Sequence, residues 1–290
     1  MRDFASVFCY NCRGMSKWFS MMIAMVAAVP GLAVSTASVP MRFTGSQEVW
    51  WAGTHYWDRR REVKMKEIAK GPKRYDFVFL GGTIVQNWEG WCEKEDVEKV
   101  ARLYSEGRLT YPNGPGKAVW SEMKRSYRIL NIAIAGDIMQ HALWRLQNGD
   151  LEGYTAKGFV FRPDFDNTES PEDFAQGVEA VLARIAEYQP HAITLLMPIL
   201  PRGAWRNDPE RMRIDRINSI IRGFADGRKV VWCDINSRFI GPDGGLRRDL
   251  MPDMRYPQGK GYGVWRDAIA PYLDNICRNN VLPKKTKGEK

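Results

Sequence analysis

A chain of 290 residues, 44% of them apolar and 12% aromatic, can bury a sizeable core, which excludes an intrinsically disordered or low-complexity protein. Its formal charge of +9 is scattered, part of it in the tail "PKKTKGEK", and forms no basic face or nucleic-acid module, so no nucleic-acid partner is expected. Five cysteines, two of them within the first dozen residues, do not call for a disulfide scaffold.

The first forty residues differ in composition from the rest. After Arg13 and Lys17 comes the apolar run "FSMMIAMVAAVPGLAV", then Ser35, Thr36, Ala37 and Ser38. A basic start, an apolar middle and small residues at the end predict a signal peptide over 1–37, most simply cut after Ala37, and hence export to the periplasm or the medium. The alternative is an uncleaved anchor, but the run is broken by Pro30-Gly31 and is short of the roughly 20 residues a span needs. No membrane span is expected after cleavage. Met1 and Met15 both stand as possible starts; from Met15, "CYNC" at 9–12 falls outside the product, and with no second Cys or His pair it is a weak metal motif. The body is expected over 38–280 and a disordered basic tail over 281–290.

"WDRRREVKMKEIAKG" (57–71) has the spacing of an amphipathic helix. Apolar runs with strand character then recur at 75–81, 127–136, 157–161, 192–200 and 228–235, separated by helical patterns of ten residues or more. "SPEDFAQGVEAVLARIAEYQ" opens with Ser-Pro at N-cap and N1, and "NDPERMRIDRINSIIRG" opens likewise with Asp-Pro. "GYGVWRDAIAPYLDNIC" closes the body. Five apolar strands alternating with helices predict a three-layer α/β/α sandwich around a five-stranded parallel sheet, in one domain. Cys233, inside "KVVWCDI", is expected as a buried free thiol. In such a sheet ligands sit beyond the carboxyl ends of the strands. The loops that matter are therefore 81–87, 136–138, 162–169, 198–205 and the segment around Asp253.

In order, those loops carry "FLGGTIVQNW", "NIAIAGDIMQHALWRLQNGDLEG", "PDFDN", "MPILPRG" and "MPDMRYPQGKGYGVW". Over roughly 48–275 this series resembles the SGNH (GDSL) hydrolase superfamily, in particular its platelet-activating-factor acetylhydrolase-like esterases. The resemblance implies a flavodoxin-like SGNH-hydrolase fold and an ester-hydrolase ancestry without a cofactor. It also implies roles position by position. The nucleophilic serine falls on Thr83 and the aspartate before it on Gly82. The oxyanion glycine falls on Gly136, the oxyanion asparagine on Asp166, the dyad aspartate on Asp253, and the catalytic histidine on Tyr256. The segment 162–170 is spaced unusually, and Asn167 stands beside Asp166 as an alternative donor.

These replacements work against the ancestral reaction. An esterase of this kind needs a hydroxyl activated by a base, a carboxylate that orients the base, and donors for the developing oxyanion. Thr83 keeps the hydroxyl, with a crowding methyl. Tyr256, a phenol of pKa about 10, is protonated at neutral pH and cannot take up that proton. An ionised Asp166 only accepts hydrogen bonds where the asparagine would donate. Of the three histidines, His191 precedes a strand at the wrong end of the sheet, His55 is unplaced, and His141 is expected to be structural.

Asp164, Asp166 and Asp253 admit a cation site, but ion pairs with Arg162 and Arg255 are the expected arrangement, and no metal is assigned. Sugar hydroxyls held by the same carboxylates beside Trp88 or Trp205 are a third reading. Two functions follow: an exported pseudoenzyme that binds a glycan, another small molecule or a partner in the old crevice, and an active ester hydrolase on acylated carbohydrate or lipid that uses Thr83. Inactivity is the expectation. The oligomeric state is left open.

Overall fold

The computed structural model of the protein describes residues 35–43, 56–91, 93–164 and 169–279. The chain divides into two units, Met1–Val34 and Ser35–Lys290, and every described residue belongs to the second. That unit takes in Ser35 and Ala37: Ala37 is buried in a 3-10 turn over Thr36–Ser38, and the Ser35 hydroxyl donates to the carbonyl of Asp173 at 3.3 Å.

Five strands make one parallel sheet: β1 (Arg74–Leu80), β2 (Ile129–Asn131), β3 (Thr155–Phe161), β4 (Ile193–Leu196) and β5 (Val230–Trp232), in the order β2-β1-β3-β4-β5. Both faces of β1 are covered, which is why it reads as a continuous apolar run. Val78 and Leu80 pack on one side with α1 (Tyr56–Lys70), α5 (Met139–Gln147), α6 (Pro171–Tyr188) and α7 (Pro209–Arg222). Phe77 and Phe79 pack on the other with the short α2 (Thr83–Gln86), α4 (Lys117–Ser126) and α8 (Gly259–Asn279). A smaller cluster joins α1 to α3 (Lys94–Ser105) through Trp57, Trp91, Val100 and Leu103.

Local signals place the helix starts. The Ser170 hydroxyl accepts the Asp173 N–H at 3.0 Å with Pro171 next in line, and the Asp208 carboxylate accepts the Glu210 N–H at 2.9 Å ahead of Pro209. Behind the sheet's crevice lies a buried ionic node. Arg145, on α5 and fully buried, pairs with Asp137 at 2.5 Å and with Asp150; Asp137 also accepts the Trp57 indole N–H at 2.6 Å, and Asp150 accepts from Arg61 at 3.1 Å. This node clamps α1, α5 and the turn after β2 together. Breaking it from one side would strand a buried charge, typically at a cost of about 3–5 kcal/mol. Cys233 is a buried free thiol whose pKa burial raises to about 12, and Cys277 is free and partly buried; Cys92 lies outside the described residues. No described helix is long and apolar enough to cross a membrane.

Candidate functional site

The site where the resemblance expects a crevice lies at the carboxyl ends of β1, β2 and β3, where three turns converge. β1 runs into Gly81-Gly82 and then α2, so that Thr83 is the first residue of the helix and is partly exposed. Two buried amides hold this turn against the next. The Gln86 side-chain oxygen accepts the Ala135 N–H at 2.8 Å and the Tyr56 hydroxyl at 2.5 Å. The Asn131 side-chain nitrogen donates to the Val85 carbonyl at 2.9 Å. They place the turn after β2 beside Thr83. Gly136, at φ +84°, sits in that turn, in a backbone conformation that favours glycine.

The acidic side chain that reaches Thr83 comes from the end of β3. Asp164 Oδ2 accepts the Thr83 backbone N–H at 2.8 Å, while Oδ1 accepts from Arg162 Nη1 at 3.0 Å. Gly82 makes the approach possible: a Cβ there would stand 2.0 Å from Asp164 Oδ2 and 2.7 Å from its carboxyl carbon. The carboxylate fills space that any side chain at position 82 would need. Arg162 is fully buried, and its Nε and Nη2 have no hydrogen-bond partner among the described residues. Burial, aided by the neighbouring Arg202 charge, lowers its pKa, with Asp164 opposing.

Asp166 and Asn167 lie outside the described residues, so the expected oxyanion position is not described; among the described residues Asp164 is the carboxylate that meets the Thr83 turn. Sequence reasoning named Asp164 only as one acid of a cluster. The expected Arg162–Asp164 ion pair is present. The Arg255–Asp253 pair is not, because Asp253 is spent on its own turn. Asp253 Oδ1 accepts the Arg255 and Tyr256 backbone N–H groups at 2.9 and 2.8 Å, and Oδ2 accepts the Thr110 hydroxyl at 2.5 Å. The Arg255 guanidinium instead lies 5.9 Å from the centre of the Tyr256 ring. Between them Met254 adopts φ +58°, uncommon for a residue with a side chain.

Tyr256 packs on Tyr111 with ring centres 4.7 Å apart. Burial raises the pKa of both phenols, and the negative charges of Asp164 and Asp253 push the same way. Tyr256 therefore stays protonated across the neutral range. The Thr83 hydroxyl makes no hydrogen bond among the described residues.

Neither described histidine replaces the base. His141 is fully buried on α5, its Nδ1 accepting the Ile138 N–H at 3.4 Å and its ring edge-on to Phe43 at 5.1 Å. Burial, with Arg145 nearby, lowers its pKa to about 4. His191 lies ahead of β4 at the opposite end of the sheet, on a cavity of about 370 Å³ with Asp226 and Lys229. His55 is outside the described residues. No cluster of three metal-ligating side chains occurs among the described residues.

The two tryptophans considered for sugar contact part company. Trp88 is fully buried among Phe79, Trp120, Tyr262 and Trp265, so it is core and cannot meet a ligand. Trp205 is 59% exposed.

The chain matches the GDSL-like Lipase/Acylhydrolase family over residues 104–264, more than half of its length. It is 33% identical over 146 residues to platelet-activating factor acetylhydrolase IB subunit alpha2 of Rattus norvegicus, and 32% identical over 146 residues to that of Homo sapiens. Each alignment covers 50% of this chain and 63% of the relative, so less than two thirds of the relatives' length is matched. A GDSL-like lipase from Bacteroides thetaiotaomicron shares the fold at a TM-score of 0.51 and 13% identity, with 75% of this chain and 97% of that one covered. The family match includes Gly136, Asp164, Asp253 and Tyr256 and begins after Thr83.

Proposed function

The chain belongs to the GDSL-like lipase/acylhydrolase family, and from that premise we propose that it is an exported member that no longer hydrolyses esters and uses the old crevice to bind a ligand, a glycan or another small molecule. One observation carries this reading: a fixed carboxylate, Asp164, accepts the Thr83 backbone N–H at 2.8 Å. In serine acyl transfer the nucleophile's own backbone N–H is a donor to the oxyanion. Here that donor is taken up by the Asp164 carboxyl group, where an incoming acyl oxygen would have to develop its charge. Losing a single oxyanion donor costs on the order of 10²–10³ in rate, and an anion in its place costs more.

The other two requirements point the same way. Tyr256 is held protonated by burial and by its acidic neighbours, so it takes no proton from Thr83. Asp253 is committed to Thr110 and to its own turn rather than to orienting a base. Nucleophile, base and oxyanion site are altered together while the surrounding amides Gln86 and Asn131 still hold the turns in register, as expected of a crevice kept for binding.

The test is turnover of short p-nitrophenyl esters by the purified protein. The expected result is a rate no higher than that of Thr83→Ala. Turnover that Thr83→Ala abolishes would establish the alternative, an ester hydrolase with a threonine nucleophile.

A further inference from the structure

We propose a carbohydrate-binding groove beside the crevice, walled by the loop after β4, by α7 and by the loop at 243–244, with the Trp205 indole as its stacking platform. The groove has a volume of about 670 Å³ and is lined by Trp205, Arg206, Asn207, Met212, Asp215 and Asp243. It goes beyond the loss of hydrolysis, since a sugar groove would serve a binding protein and an esterase alike.

Trp205 and Met212 are the two most exposed large apolar side chains among the described residues, at 59% and 60%, and they line the same groove. They form an open apolar pair on a surface whose other described tryptophans are buried or half-buried. Around them stand groups of both polarities. The Arg206 guanidinium and Asn207 amide donate, the Asn207 oxygen and the Asp215 carboxylate accept, and none of these three side chains makes a hydrogen bond among the described residues.

That mixture selects the ligand class. A purely apolar ligand would strip water from Asp215 and Arg206 without replacing its hydrogen bonds. An anionic ligand would be opposed by Asp215 and Asp243, and a cationic one by Arg206, which lies close enough to Asp215 to interact. A neutral polyhydroxylated ring satisfies both, its hydroxyls serving as donors and acceptors and its C–H face lying on the indole.

The groove is also built rather than incidental. Arg211, buried on α7, donates to the Gly203 carbonyl at 2.9 Å, to the Gly244 carbonyl at 2.9 Å and to the Arg202 carbonyl at 3.3 Å. One guanidinium thus ties the two loop walls to the helix, and Leu246 N–H to Ala204 carbonyl, at 3.4 Å, adds a second tie. Walls held this way lose little freedom on binding, which preserves affinity for a weakly interacting sugar. The loop leaves β4 at its carboxyl end, the end where Thr83 lies, and Arg202 on the same loop acts electrostatically on Arg162 and Tyr256. The groove therefore lies on the loop that leaves the same end of the sheet as Thr83.

The experiment is calorimetric titration of the protein with cellohexaose, xylohexaose and chitohexaose, alongside Trp205→Ala, Asp215→Ala and, as an exposed aromatic that does not line the groove, Tyr104→Ala. Saturable binding of at least one oligosaccharide is expected, weakened at least tenfold by Trp205→Ala and severalfold by Asp215→Ala, and unchanged by Tyr104→Ala. Failure of all three oligosaccharides to bind, or binding that Trp205→Ala leaves intact, overturns the proposal. Ester turnover is read separately, so failure of the groove and failure of the proposed inactivity are distinguishable.

Discussion

Asp164 Oδ2 and the Thr83 backbone N–H, 2.8 Å apart, meet in space that exists because residue 82 is a glycine. An alanine at position 82 is penalised by contact, since its Cβ would stand 2.0 Å from Asp164 Oδ2. Gly82→Ala must displace the Asp164 carboxylate and loosen its pair with the buried Arg162, with an expected loss of about 2–3 kcal/mol in urea denaturation. In an Asp164→Ala background the same change should cost at least about 1 kcal/mol less, because the two closest contacts, to the carboxylate oxygen and carbon, are gone and only the Cβ contact at 2.8 Å remains. Additive costs in the double-mutant cycle would show that the two positions are not coupled.

If the crevice lacks only its chemical groups, replacing them should revive it. Thr83→Ser, Asp164→Asn and Tyr256→His combined are expected to hydrolyse p-nitrophenyl acetate at least about a hundredfold faster than Thr83→Ser alone, the size of one recovered oxyanion donor. The activity should rise with pH through the ordinary histidine range, near 6.5, as the new imidazole loses its proton. A folded triple variant with no gain would mean that the turns themselves have moved out of register.

His141 makes stability depend on pH. Its folded pKa, about 4, is below its unfolded value of 6.5, because the buried ring resists charging. Above pH 6.5 both states are neutral and the full stability is present. As pH falls from 6.5 towards 4 the unfolded state takes up the proton first, and stability drops by up to about 3 kcal/mol. Urea denaturation at intervals from pH 7.5 to 4.5, compared with His141→Asn, should show a steeper decline for the natural protein over that window. Parallel curves would remove His141 as the cause.

The tryptophans give a contrast in stability. Trp88→Ala should cost about 3–5 kcal/mol, since it empties a site enclosed by Phe79, Trp120, Tyr262 and Trp265. Trp205→Ala, at an exposed site, should change stability by no more than about 0.5 kcal/mol. Thermal melting of the two variants checks both, and a large loss for Trp205→Ala would indicate a packing role.

The sequence by itself determined the layered fold and its ancestry. Apolar runs broken at the right intervals by capped helices lead to one parallel sheet, and β1 to β5 overlap the predicted runs because its inner strands, buried on both faces, demand continuous apolar stretches. The proposed replacements at Thr83 and Tyr256 rest on the sequence too, as departures from the motifs the chain resembles. Only the tertiary structure decided which acid reaches Thr83, that Arg162 stands behind it, and that Trp88 is core while Trp205 is open. A loop's spacing gives the order of its side chains but not their direction, and neighbouring aspartates in "PDFDN" differ only in where the chain turns. The hole at Gly82 is likewise defined by another strand's end, so no reading of residues 81–88 alone contains it.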